Sequence, residues 1–237
     1  MSVNFSKSKK PTVKDTVVAC FKKYKHSLLL LYLLIYFPWF SYLERTVTKR
    51  FHVIHMAIDD KIPFIEYFIV PYFLWFAYVA VAVLYFLFKN KGEYYRLCAF
   101  LFTGMTIFLI ISTVYPNGHY LRPATFAHDN IFVNMVRALY KTDTATNLFP
   151  SIHVYNSIGV NIAIWHSENF KQNKPVRYGS AILMVSIILS TMFLKQHSVF
   201  DVITGIVLSV FMYTVVYAKS PVHVGNSETS LEERISI

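Results

Sequence analysis

Six apolar runs, each almost free of charge, alternate along this chain with short charged patches: Ser27–Leu43, Phe64–Phe88, Leu97–Tyr115, Ile152–His166, Tyr178–Leu194 and Val199–Ala218. A helix that crosses a bilayer takes about 20 mainly apolar residues. Lipid offers no partner to an open backbone, so runs of this kind become helices. Composition agrees: 55% of residues are hydrophobic and only 15% charged, where soluble domains carry about 25% charged residues. The expected fold is all-α, a polytopic six-helix membrane bundle. The fourth run is the shortest and holds Asn156, Ser157 and Asn161. Its neighbours are expected to shield it from lipid.

A net charge of +10 would suggest nucleic acid in a soluble chain. Here it reads as topology, and the partners expected are the bilayer and a lipid, not nucleic acid. Lys7, Lys9, Lys10, Lys14, Lys22, Lys23 and Lys25 precede the first run, and such clusters mark the cytoplasmic side and anionic lipid. With six alternating spans, 15 of the 23 Lys and Arg residues fall on the side of that leader. Both termini are therefore expected in the cytoplasm, of a plasma-membrane protein whose site opens outward. Residues 1–26 read as a basic cytoplasmic segment, 27–218 as the membrane catalytic domain and 219–237 as a disordered cytoplasmic tail. No cleaved signal is expected, because the first run starts only at Ser27 and no small-residue cleavage site follows. Cys20 and Cys98 fall on the reducing side and read as space-filling residues.

Two outer segments stand out. Glu44–Pro63, continuing to Tyr72, mixes aromatic residues, charges, Pro63 and Pro71, and reads as an interfacial stretch leading into a kinked span. Pro116–Pro150 is the longest loop. Within it Ile131–Tyr140 has the pattern of a short amphipathic helix, expected to lie over a site.

Ionisable groups at membrane depth are costly, which draws attention to His153 and His197. His197 and Asp201 are spaced i, i+4, which stacks them on one helix face. A carboxylate there can hold one imidazole nitrogen and leave the other free to react. Taken alone, the pair reads equally well as two groups satisfying each other inside a bundle. Pro150-Ser151-Ile152-His153 has a helix start, whose free amides form an anion site; the plain alternative is a capped helix with a polar first turn. Arg122 has the planar fork that phosphate favours, although an interfacial Arg also snorkels to head groups.

The order and spacing of these pieces resemble the phosphatidic-acid-phosphatase type 2 superfamily, whose motifs are K-x6-R-P, P-S-G-H and S-R-x5-H-x3-D. Here they stand as Tyr115-x6-Arg122-Pro123, Pro150-Ser151-Ile152-His153 and Ser190-Thr191-x5-His197-x3-Asp201. The resemblance spans the third to the sixth run. It implies that His197 attacks phosphorus, that Asp201 orients it, that His153 is the general acid, and that Arg122 and Ser151 hold phosphate. The family's Lys is Tyr115 here, its second Arg is Thr191, and its Gly is Ile152. Lys195 is the replacement cation expected, with Arg137 and Lys141 behind it. This thinner pattern is similar to the inositol phosphorylceramide and sphingomyelin synthases, which raises head-group transfer beside hydrolysis.

The expected substrate is a membrane lipid phosphate or diphosphate, with no cofactor and no metal. Three other classes stay open: a metal-dependent hydrolase using His153, His197 and Asp201 as ligands, a non-catalytic lipid-binding protein, and a transporter with a proton-relay histidine. Among the other histidines, His52 and His55 are spaced as a metal pair without a third ligand. His119 and His128 flank Arg122 with a structural role expected, and His26, His166 and His223 lie toward the opposite side.

Overall fold

The computed structural model describes Thr12 and residues 22–218. Most of the basic leader, Cys20, His223 and the expected tail 219–237 lie outside the described residues. A 3-10 helix, Lys25–Tyr32, leads into α1 (Leu33–Thr46); α2 (Ile69–Lys89), α3 (Lys91–Val114), α4 (Ile131–Thr142), α5 (Ile152–His166), α6 (Lys174–Phe193) and α7 (Val199–Val216) follow. Five of these helices begin at a side-chain cap: Asn90, Asn130, Ser151, Asn173 and Ser198 each accept a bond from a first-turn amide. Such caps satisfy donors a helix start leaves open, each contributing about 1 kcal/mol. Pro71 falls in the first turn of α2, where a missing N–H costs nothing, so it marks the start of that helix.

Five helical stretches among the described residues are long and apolar enough to cross a membrane: Lys22–Thr46, Glu66–Lys89, Lys91–Val114, Lys174–Phe193 and Val199–Val216. The chain is thus an all-α polytopic membrane protein. The fourth expected run differs. At 15 residues, α5 is about 22 Å long, short of the roughly 30 Å of hydrocarbon. It sits in the middle of the bundle, packed by α2, α3, α6 and α7, and Asn156 and Ser157 are buried among them. Shielded on all sides, it does not need a full span of its own.

The packing of α3 on α5 depends on small residues. Gly104 of α3 receives the Tyr155 ring, and a Cβ at Gly104 would lie 2.0 Å from it. Gly159 of α5 receives the Phe100 ring in return, at 2.5 Å from a built Cβ. The two rings stack with centroids 4.6 Å apart. Small residues that let helices approach closely are the usual glue of membrane bundles.

At the end where α1, α3 and α6 finish and α2, α5 and α7 begin, the loops knit into a cap. Two short parallel strands, β1 (His52–Val53) and β2 (Asn117–Gly118), pair there. As the sequence pattern predicts, α4 is amphipathic. It buries Val133, Val136 and Leu139, and its apolar face packs with Ile69, Tyr72 and Leu194. The Tyr140 hydroxyl donates to the Leu194 carbonyl at 2.7 Å.

Candidate active site

His197 stands in the turn between α6 and α7. The Thr191 carbonyl accepts from both Gln196 N and His197 N, at 2.9 and 3.0 Å, and Lys195 adopts a left-handed φ of 50°. Ser198 then caps α7, forming a reciprocal capping box with Asp201. This fixes the Asp201 carboxylate beneath the His197 ring, with Oδ2 at 3.5 Å from Nδ1. The same Oδ2 accepts from Ser198 N at 3.0 Å, while Oδ1 has no partner among the described residues.

His153 arrives from the first turn of α5. Ser151 N donates to the Asp201 carbonyl at 3.2 Å, tying the start of α5 to the start of α7. Gly205, one turn beyond Asp201, makes the approach possible, since a Cβ there would lie 2.9 Å from the Ser151 carbonyl oxygen. The result is the central geometric fact of the molecule: His197 Nε2 lies 3.3 Å from His153 Nδ1. The His153 ring is held between Tyr72 and Trp75 of α2, with centroids 4.8 and 4.3 Å away. Burial, assisted by the nearby Arg122 charge, pushes His197 down to about 3, so its imidazole is neutral at physiological pH.

The phosphate ligands expected from sequence sit differently. Arg122 is close, with its guanidinium over the Tyr140 ring at 4.4 Å. Its terminal nitrogens, however, donate to the carbonyls of Tyr140, Asp143 and Thr144 and to Gln196 Oε1. It ties the long loop to the His197 turn, leaving Nε alone without a partner among the described residues, and burial depresses its pKa. Ser151 is wholly buried as the cap of α5, accepting from Val154 N at 3.4 Å. Lys195 turns away, donating from Nζ to the Asp59 carbonyl at 2.7 Å. Tyr115 is stacked flat on His52, centroids 4.1 Å apart, outside the histidine cavity. Thr191 is buried and donates its hydroxyl to Ile188 O at 2.7 Å. Arg137 pairs with Asp129 at the surface. The structure therefore brings His153, His197 and Asp201 together and directs the expected cations elsewhere.

Three carboxylates take places that no motif announced. Asp59 is buried and caps α7 from outside: Oδ2 accepts from Ser198 Oγ at 2.6 Å and Oδ1 from Val199 N at 2.8 Å. Glu44, in the last turn of α1, accepts from Thr144 N at 3.1 Å and from Asn147 Nδ2 at 2.9 Å. Asp143 accepts from the Tyr72 hydroxyl at 3.2 Å, and burial, then the Glu44 charge, push its carboxyl up to about 6. Glu44 and Asp143 share with His153, His197, Phe40 and Phe108 the walls of a cavity of about 30 Å³, roughly the room of one water. The only sequence signal for Glu44 was a lone acid at the end of an apolar run. Asp59 and Asp143 had none.

Among the described residues no group of three or more His, Cys, Asp or Glu is disposed to hold a metal. His55 bonds Asp60 at 2.9 Å. His119, its pKa lowered to about 4 chiefly by burial, lies 2.9 Å by Nε2 from the Gln196 carbonyl and so braces the His197 turn.

The arrangement offers a neutral imidazole backed by a carboxylate, a second imidazole at its reactive nitrogen, and a secluded cavity between them. Comparison with curated proteins and with solved structures gives no match. Comparison with family models does: residues 121–223, the stretch that carries Arg122, His153, His197 and Asp201, match the PAP2 superfamily.

Proposed function

We propose that the chain is a membrane phosphoryl-transfer enzyme that works on a lipid phosphate or diphosphate through a phosphohistidine. The coarser statement, a membrane protein of phosphatase or phosphotransferase type acting on phosphorylated lipids, follows from the PAP2 match together with the apolar helices. The observation that supports the finer one is the 3.3 Å approach of His197 Nε2 and His153 Nδ1, with Asp201 on the far side of His197. With Nδ1–H of His197 toward Asp201, Nε2 keeps its lone pair and accepts from His153 Nδ1–H.

In the first step Nε2 attacks phosphorus in line. The N–P bond forms as the P–O bond to the leaving group breaks, and that oxygen takes a proton from His153, which enters the step as an imidazolium and leaves it as neutral imidazole. Water or an alcohol then gives its proton to His153 and attacks phosphorus, releasing His197. Catalysis of this kind depends above all on fixed donors that stabilise the charge developing on the phosphoryl oxygens. The first-turn amides of α5 are the donors at hand, and Arg122, its terminal nitrogens engaged by carbonyls and Gln196, steadies the turn that holds His197. The distribution of Lys and Arg supports a site facing away from the cytoplasm with both termini inside.

A second reading, transfer of a phosphate-bearing head group to a lipid alcohol, has its own support. The histidine cavity is lined by Glu44 and Asp143, and neither Lys195 nor Tyr115 faces it. Two carboxylates repel a phosphomonoester dianion but suit the ammonium end of a zwitterionic head group.

Both readings are tested by incubating purified protein in vesicles with lipids labelled at phosphorus, with and without a lipid alcohol. Free labelled phosphate marks a hydrolase and a new labelled lipid a transferase; acid-labile label on His197 in a quenched reaction marks the shared intermediate. Turnover with no label on His197 under single-turnover conditions would overturn the phosphohistidine.

A further inference from the structure

A second, larger cavity adjoins the histidine pair. It has a volume of about 480 Å³ and runs between the first span and α2, floored by α3. Its position follows from the packing: the first span leans on α3 and makes little contact with α2, so a lateral slot stays open between them. The walls are Leu, Val, Phe and Met side chains with Ala80 and Ile152, broken by Tyr36, Trp75 and Asn156. Along α2 the slot extends from Trp75 to Leu84, about 14 Å at the helical rise. One end is at the site. Ile152 lines both this slot and the histidine cavity, and the Trp75 ring that forms its upper wall lies 4.3 Å from the His153 ring. The other end points away from the site, along the bundle.

We infer that this slot holds one hydrocarbon chain of the substrate lipid, with the phosphate at the Ile152 end and the chain running along α2 toward Leu84. The inference rests on the phosphoryl-transfer reading of the histidine pair. The volume lies in the ordinary range of ligand sites, roughly 300–1,000 Å³, and an apolar wall that begins at a polar reaction centre matches a molecule with the same division. A chain there anchors the substrate while the histidines act on its head, so the slot sets chain-length preference. Each methylene kept from an apolar site weakens binding about fourfold.

The test places a bulky ring halfway down the slot. Ala80→Trp should lower kcat/KM for a long-chain lipid phosphate by more than about tenfold while leaving a short-chain analogue within twofold. Val81→Trp, on a lipid-facing position outside the slot, should change neither. Equal losses for both chain lengths, or none for either, would overturn the inference. A readout independent of turnover uses a fatty chain with a terminal photoreactive diazirine in vesicles. Adducts concentrated on Val79, Val83 and Leu33 support the slot. Adducts spread evenly over Val81, Val207 and Val210 would mean bulk lipid only. Their absence from the slot, with protein–protein crosslinks in their place, would mean that another copy of the chain fills it; either result overturns the inference. If no lipid phosphate turns over but the adducts concentrate as expected, the reaction assigned to the histidines fails and the slot stands.

Discussion

Residues 121–223 carry the paired histidines and Asp201, whereas the residues before 121 carry none of them and yet build much of what surrounds them. From the earlier region come Tyr72 and Trp75 against His153, Asp59 at the head of α7, Glu44 in the cavity wall and most of the apolar slot. In the proposed mechanism the later region holds the reacting groups; the earlier one decides how they sit and what they meet. Reaction chemistry demands particular groups at short, fixed spacings, so it leaves motifs. Walls demand only size and polarity from distant points of the chain, so they leave none.

The sharpest way to break that division is His197→Ala. Loss of a covalent nucleophile costs on the order of 10⁴- to 10⁶-fold in kcat, with the melting temperature little changed; activity within tenfold of the parent would end the assignment. His153→Ala should cost about 10²- to 10⁴-fold for a lipid alkoxide leaving group and far less for an activated aryl phosphate, which needs no proton. Equal losses on the two substrates would remove His153 from the acid role. A third test crosses into the earlier region. Asp59→Ala leaves Ser198, Val199 and Met56 without their acceptor and should destabilise the fold by about 1–3 kcal/mol. It should also lower kcat about 10- to 100-fold by loosening the His197 turn. A full loss matching His197→Ala would show that the earlier region takes part in the chemistry itself.

The smallest effect is in the pH profile. Asp143 titrates near 6, above the ordinary carboxylate value of 3.8. The folded chain thus holds this proton more tightly than the unfolded one, and its contribution to stability is present at pH 4 and lost as pH rises through 6. For catalysis the charge matters: kcat/KM should change a few-fold across pH 6, rising for a substrate with a cationic head group and falling for a phosphomonoester. Asp143→Asn should flatten either slope. A slope that survives the substitution would place the titration elsewhere.

Much of the fold was legible because burial in hydrocarbon leaves a coarse signature. The long runs became helices at nearly the expected places, with ends extended into charged residues such as Lys91 and Lys174, and Ile131–Tyr140 formed the amphipathic helix its periodicity predicts. Length misled only for Ile152–His166, where neighbours supply the shielding that a lone span would need. In the site, the i, i+4 spacing of His197 and Asp201 is enough by itself to put those two residues on one face. The phosphate ligands were harder. A cation's type shows in sequence, but its direction does not: Lys195 turns toward Asp59 because of its left-handed backbone, and Arg122 is drawn inward by carbonyls some twenty residues downstream. The carboxylates of Glu44 and Asp143 reach one cavity only because α1 and the long loop end side by side.

The aromatic rings lodged at Gly104 and Gly159 have a mechanical consequence. Each ring works as a key in a notch on the opposite rod, so α3 and α5 can neither slide nor turn against one another without withdrawing both. The rod bearing His153 is thereby locked at a fixed height in the bundle.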